Sequence, residues 1–169
     1  MHFSTRTADA VHILVLIALS EGSISSREIA KSTASSPSHI RSLMSLLSRA
    51  GIILSSQGKA APALARKAED ITLLQIYQAM EGGTPLLHLD THVNEECAAG
   101  MYIQQALQGC YDEIQNRFEA ELAEITLADL IKRYAARLSS NPLGFDLTDY
   151  AWKPGEFLKK NELSLPTEK

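Results

Sequence analysis

The chain has 169 residues, of which 45% are hydrophobic and 21% charged, a composition that excludes a disordered chain. Aromatic residues make up only 6%, so the core must consist mainly of Leu, Ile and Ala, which favours helices. The net charge of −4 is unevenly distributed: residues 1–81 carry eight Lys/Arg and six Asp/Glu, whereas residues 82–169 carry eight and fourteen. Within 23–67 there are seven basic residues and a single acid, Glu28, which predicts a surface that faces nucleic-acid phosphates.

The first fifty residues predict three helices, the last two of which form a helix-turn-helix. The predicted spans are 5–20, 26–33 and 37–50. Ser25 is a good N-cap, and Glu28 three residues later completes a capping box. Ser36 caps the third helix, and Pro37 occupies its first position, where proline is favoured.

A short hairpin and a fourth helix follow. Ile52, Ile53 and Leu54 indicate a strand, small and turn residues fill 55–62, and 63–65 forms the return strand. Thr72 begins a helix that ends near Glu81, before two glycines. Residues 1–83 are therefore predicted to be a winged helix-turn-helix domain. The fold class is mainly α, with a small β-hairpin as the wing.

The second half predicts a connector over 84–94, dimerisation helices over 95–138 and an irregular tail over 139–169. The first of these helices, about 95–124, has an apolar stripe with no evident partner within its own chain. A second copy of the chain would cover that stripe, so a homodimer is expected. The residues expected at the dimer interface are Leu107, Cys110, Ile114, Phe118 and Leu122.

Other classes of site find little support. His88, Asp90, His92, Glu95 and Cys97 are potential metal ligands, but their spacing matches no zinc pattern, so no metal or cofactor is expected. Motifs for nucleophilic catalysis or nucleotide binding are absent, which argues against an enzyme. The apolar run 10–19 is shorter than the roughly 20 residues of a membrane span. Having two cysteines and no disulfide framework, the chain is expected in the cytoplasm.

Several stretches resemble the Rrf family of bacterial winged-helix regulators. They are the opening helix 5–20, SREIAKSTASSPSHIRSLMSLLSRAGII, EDITLLQIYQAMEG and CAAGMYIQQALQGCYDEIQNRFEAELAEITLADLI, and together they cover about residues 1–138 in order. The resemblance implies a winged helix-turn-helix domain joined to a long helix that crosses its partner in a dimer. The expected function is that of a DNA-binding transcription regulator, more specifically a repressor.

The resemblance also implies which residues contact double-stranded DNA. In the recognition helix these are Ser36, Ser38, His39, Arg41 and Ser42, and in the wing they are Lys59 and Arg66. Serines at a helix start can donate to phosphate, and arginine can pair with guanine O6 and N7. The wing lacks the Gly-Gly turn of typical members, so a dimer that acts through protein–protein contacts without reading DNA is the alternative.

Cys97 is a candidate redox sensor. Cluster-binding members of the family have three cysteines near the start of the long helix, whereas Cys97 is alone there. It resembles the single-cysteine subgroup, which implies a response to an oxidant or another small-molecule signal. A thiol in the first turn of a helix is more nucleophilic than an ordinary one. The alternative is that Cys97 is a structural residue.

Overall fold

The computed structural model describes residues 5–20, 24–54, 62–90, 93–94, 96–147 and 154–164. The helices and strands are α1 (Arg6–Leu19), α2 (Ser26–Ser32), α3 (Pro37–Arg49), β1 (Ile53–Leu54), β2 (Ala63–Leu64), α4 (Leu73–Glu81), α5 (Ala98–Glu124), α6 (Leu127–Ser140) and α7 (Pro154–Lys160). A single turn of 3-10 helix, Ala68–Asp70, precedes α4. The strands pair antiparallel, with Ile53 opposite Leu64 and Leu54 opposite Ala63. The predicted fold class, mainly helical with a two-stranded wing, is confirmed.

The helix starts are built as the sequence predicts. The Ser25 hydroxyl accepts from the Glu28 amide at 3.2 Å, and the Glu28 carboxylate accepts from the Ser25 amide at 2.8 Å, which completes the capping box of α2. A capping box of the same kind joins Thr72 to Gln75 at the start of α4. Because each box pairs amides that the first helical turn leaves open, these helices begin at defined residues.

One hydrophobic core joins α1, α3, α4 and α6. Ile13, Leu14, Ile40 and Ile76 are completely buried in it. Leu127 of α6 is equally buried. We call this body, comprising α1–α4, the strands and α6, the head.

The end of α5 is fastened to the start of α4 by the backbone. The amide of Leu73 donates to the Ile125 carbonyl, and the amide of Leu127 donates to the Ile71 carbonyl, both at 2.8 Å. This bridge directs α6 into the core of the head, where Ile131 is fully buried. The prediction that grouped residues 127–138 with the dimerisation segment missed this packing.

The C-terminal tail is not irregular throughout. Residues 154–160 form α7, and its Pro154 and Leu158 are buried against α6 and α1. The prediction of an irregular tail over 139–169 is therefore wrong for this segment. A helix of two turns has little stability of its own and depends on tertiary packing, which a local sequence pattern does not reveal.

The long helix α5 is the least buried part of the molecule. All of its 27 residues are described, and none of them is buried. Among the described elements it packs mainly on α4, and its Gln115 side chain also accepts a hydrogen bond from the Leu86 amide at 3.0 Å. Across the described ranges, no helix is long and apolar enough to cross a membrane.

Candidate nucleic-acid interface

The start of α3 presents polar side chains on the face opposite the core. Ile40, Leu43 and Leu47 bury the other face of this helix. The Ser36 hydroxyl accepts from the His39 amide at 3.2 Å and lies 3.0 Å from the Ser38 hydroxyl. Ser36 and Ser38 are both exposed, and they lie at the positive end of the helix dipole.

Arg41 and Ser42 extend this exposed face by one turn. The Arg41 guanidinium lies 3.4 Å from the Ser26 hydroxyl of α2. Between the two helices lies an open groove of about 540 Å³, which Arg27, Ser38 and Arg41 help to line. The groove therefore has two guanidinium groups and several hydroxyls, the groups that bind phosphate and base edges. We call this surface the recognition edge.

Arg27 was not among the residues that the sequence predicted to contact DNA. It lies on α2, yet the packing of α2 on α3 places it in the same groove as Arg41. The concentration of basic residues over 23–67 was the available signal. It identifies the segment but not which of its arginines lie together.

His39 contacts α1 and does not line the groove. Its Nε2 lies 3.2 Å from the Asp9 carboxylate of α1, and its side chain is partly covered. This contact fixes the recognition helix against α1. On α1, the neighbouring His12 has a pKa below its usual value, because burial outweighs the opposing attraction of Asp9.

The wing is only partly described. Arg66, which follows β2, is exposed and donates to the Gln75 side chain at 2.9 Å. The same Gln75 oxygen accepts from the Thr72 amide, so Arg66 is attached to the start of α4. Lys59, the other predicted wing contact, lies outside the described residues.

The predicted dimerisation stripe divides into two parts. The Phe118 ring meets Tyr77 of α4 edge-on, with centroids 5.3 Å apart, and Leu122 is also partly covered. The expectation that the whole stripe lacks an intrachain partner is therefore wrong at Phe118. Burial, together with the nearby charges of Glu81 and Glu119, raises the pKa of Tyr77 above its usual value.

The other part of the stripe faces outward. Ile103 and Ile114 are 64% and 47% exposed, Cys110 between them is also exposed, and Leu107 is partly covered. These four residues follow one another at helical spacing of three and four. We call them the α5 stripe, an apolar surface that the described part of the chain leaves open.

Cys97 is the N-cap residue of α5, and its thiol is free and exposed. Gly100 lies beside this thiol: a Cβ atom placed on the glycine would be 3.8 Å from the Cys97 sulfur. Cys110 is thirteen residues further along the same helix, about 20 Å away at the helical rise, so the two thiols of one chain cannot pair.

The fold and the recognition edge together define a winged helix-turn-helix protein that binds DNA. The sequence profile of the Rrf2 family, described as "Iron-dependent Transcriptional regulator", matches residues 3–133. The chain belongs to this family. It is thus a DNA-binding transcriptional regulator and not an enzyme.

Individual relatives agree with this assignment. The chain is 35% identical over 128 residues to the "Putative HTH-type transcriptional regulator YwnA" of Bacillus subtilis (strain 168), covering 76% of this chain and 96% of that protein. Its fold is similar to that of CymR (YrzC), the global cysteine regulator of B. subtilis, with a TM-score of 0.58, 23% identity and coverage of 77% and 95%. T. potens IscR gives a TM-score of 0.61, 23% identity and coverage of 89% and 97%.

The family description raises the question of whether this chain can hold iron. Among the described residues, no three His, Cys, Asp or Glu side chains are grouped as metal ligands would be. His88, Asp90 and Cys97 do not converge, and His92 and Glu95 lie outside the described ranges. A cluster needs several thiolates from one region, and Cys97 and Cys110 are far apart. The described donors therefore do not fit an iron site within one chain.

Proposed function

We propose that the protein is a homodimeric repressor that reads an operator through the recognition edge. The observation that carries this proposal is the exposed, polar start of α3 beside the two arginines of the groove. Two copies related by a two-fold axis would place two recognition helices in successive major grooves. A dimer bound across a promoter would exclude the transcription machinery from that DNA.

Each residue of the recognition edge has a chemical role in this proposal. Arg41 pairs with guanine O6 and N7 in the major groove, and Ser42 contacts the adjacent base edge. Ser36 and Ser38 donate to phosphate at the start of α3, where the helix dipole favours an anion. His39 holds the helix against Asp9 rather than touching DNA, a role supported by their 3.2 Å contact.

The wing supplies the remaining contacts. Arg66 and Lys59 are proposed to contact the phosphate backbone or minor groove beside the recognition site. The exposure of Arg66 supports this role, and its hydrogen bond to Gln75 would fix its position relative to α4.

Dimerisation is proposed to occur through the α5 stripe. Its exposed isoleucines and Cys110 form a surface that a second α5 would bury, together with Leu107. Phe118 and Leu122 support the interface indirectly, because they pack α5 on α4 and so set the angle between the stripe and the head.

Selection of bound fragments from genomic DNA by the purified full-length protein tests the proposal. We expect a two-fold symmetric site, and binding that weakens steeply with salt, because phosphate contacts release counterions. Arg41→Ala should relax the preference at one base pair per half-site by about 1–3 kcal/mol.

Arg49→Ala is the matched control, since Arg49 is exposed at the other end of the same helix. It should leave base preference unchanged. Failure to select any fragment over random duplex would refute operator reading. Equal effects of the two substitutions would refute the role of Arg41.

We propose in addition that repression responds to oxidation or alkylation of Cys97. Its exposed thiol lies where the connector leads from the head into α5, at the end of that helix remote from α4, so added bulk or charge there would act on the head through the connector. Operator affinity should change after treatment of the native protein with a mild oxidant or electrophile, and not after treatment of Cys97→Ser. Equal behaviour of the two proteins would leave Cys97 a structural residue.

A further inference from the structure

A cavity of about 710 Å³ lies on the head between the end of α1, the wing strand β2 and the C-terminal helix α7. Its volume is within the range of about 300–1,000 Å³ that small-molecule sites occupy. Leu19 of α1, Leu64 of β2 and Phe157 of α7 form apolar walls. The α7 wall lies beyond residue 133, where the family match ends, so the cavity is completed by a segment outside the shared domain.

The polar part of the lining is mainly cationic. Arg66, Lys67 and Lys160 line the cavity, against the single acid Glu156. Glu156 lies 3.6 Å from Lys159, which compensates its charge. Within the described ranges, Lys67 and Lys160 have no ion-pair partner, and both are exposed.

We propose that this cavity binds a small organic anion, a carboxylate or sulfonate with an apolar body. The apolar body would lie against Leu19, Leu64 and Phe157. The anionic group would lie among the three cations, which attract negative charge and donate hydrogen bonds to it. Neither a neutral apolar molecule nor an inorganic anion would use both parts of this lining.

The position of the cavity would let a bound anion affect the DNA-binding surface. Arg66 lines the cavity and also donates to Gln75, which caps α4. A ligand that contacts β2 and α7 together would fix the wing relative to the head, and it would occupy a cation proposed to contact DNA. The anion is therefore an effector that lowers operator affinity. This consequence rests on the proposed function, whereas binding of the anion does not.

Binding is tested on the full chain without DNA, with anilinonaphthalene sulfonate as the probe. We expect saturable fluorescence and changes in the backbone-amide NMR spectrum at residues 62–68 and 156–161. The uncharged analogue phenylnaphthylamine should bind more weakly. Spectral changes confined to α5 or to residues 141–147 would overturn the proposal, as would equal affinity for the uncharged analogue.

Two adjacent lysines provide matched variants. Lys160 lines the cavity and Lys159 does not. Because both are exposed on the same short helix, Lys160→Gln and Lys159→Gln change the net charge equally. Lys160→Gln should weaken probe binding about threefold, as expected for one exposed charge contact. Lys159→Gln removes only the exposed partner of Glu156, so it should weaken binding less. Equal weakening by the two would show general charge attraction and overturn the site.

The effector role is tested with the selected operator. The probe should lower operator affinity, and by linkage the operator should lower probe affinity by the same factor. Unchanged operator affinity at saturating probe would overturn the effector role. Weaker operator binding by Lys160→Gln without probe, combined with no probe binding by the native chain, would show that these cations contact DNA instead. Absence of any operator would refute the proposed function, and the binding test would still decide whether the cavity is a site.

Discussion

The head and α5 differ in how far their side chains are buried. In the head, side chains such as Ile13 and Ile40 are completely buried, and capping bonds fix the starts of α2, α3, α4 and α6. Helix α5 is the longest element, yet no residue of it is buried, although all are described. Isolated helices derive little stability from propensity alone. The contrast supports the proposal that α5 packs on a second copy, whereas the head has a core of its own.

Charging the α5 stripe should have the largest effect. Ile103→Glu together with Ile114→Glu would place two carboxylates from each chain in the proposed dimer interface. We expect the dissociation constant to rise about a thousandfold, which corresponds to about 4 kcal/mol, and operator binding to be lost with the dimer. Sedimentation equilibrium measures the first quantity. A double variant that stays dimeric would show that the partner does not bind through this stripe.

The matched control for this pair adds the same charge elsewhere on α5. Gln105→Glu and Asn116→Glu change exposed residues on the side of the helix away from the stripe. The control protein should remain a dimer. Dissociation of both double variants would trace the effect to total charge rather than to the interface.

Shortening one isoleucine in each region compares their stabilities directly. Ile13→Ala removes a completely buried side chain and should lower the free energy of unfolding by about 3 kcal/mol at every protein concentration. Ile103→Ala changes a side chain that is 64% exposed, so its effect should appear only through dimerisation and should depend on concentration. Urea unfolding at two protein concentrations distinguishes the cases. Equal, concentration-independent losses would mean that α5 is stabilised within the chain.

A smaller effect is expected at the junction between the two regions. The Thr126 hydroxyl accepts from the Asp129 amide at 3.1 Å and caps α6, so Thr126→Ala should cost about 1 kcal/mol in unfolding free energy. Thr5 occupies the N-cap of α1 without a side-chain capping bond, which makes Thr5→Ala the control with little expected change. Thermal unfolding measures both variants, and equal losses of stability would contradict the explanation by capping.

The smallest expected effect is a pH dependence at the same junction. Burial raises the pKa of Asp129, but hydrogen bonds from Thr126 and the contact with Lys132 outweigh it, so the pKa lies below the usual 3.8. This carboxylate therefore stabilises the fold above pH 3.8, and its contribution is lost as the pH falls through the lowered pKa. Asp129 is 37% exposed, so solvent screening limits the effect to a few tenths of a kcal/mol.

Asp129→Asn removes the titrating group and is the variant for this test. The difference in unfolding free energy between the native protein and the variant should be larger near neutral pH than at about pH 3. A difference that stays constant with pH would mean that the Asp129 charge contributes nothing.

Features set by neighbouring residues were predictable from the sequence, and features set by distant ones were not. The capping box of Ser25 and Glu28, and the start of α3 at Pro37, depend on spacings of a few residues. The contact of His39 with Asp9 joins residues thirty positions apart. Phe118 belongs to the apolar pattern of α5 whichever partner it meets, so periodicity could not show that Tyr77 covers it.

For the candidate DNA-binding surface, the sequence pattern indicates a segment but not which of its side chains lie together. Arg41 lies on the recognition edge as expected of a residue early in a recognition helix. Arg27 lies in the same groove through the packing of α2 on α3, and His39 contacts the carboxylate of Asp9 on α1. Which of two neighbouring surfaces a side chain joins depends on tertiary packing.

The two backbone hydrogen bonds between 71–73 and 125–127 make α5 a lever with one fixed end. Its 27 residues span about 40 Å, and its other end, where the connector joins it, carries Cys97. A tilt of about 5° at the fixed end displaces the far end by about 3.5 Å over this length. In a two-fold dimer clamped at the α5 stripe, the same tilt instead moves the two heads relative to each other. Such a movement would shift the recognition helices relative to the major grooves that they are proposed to occupy.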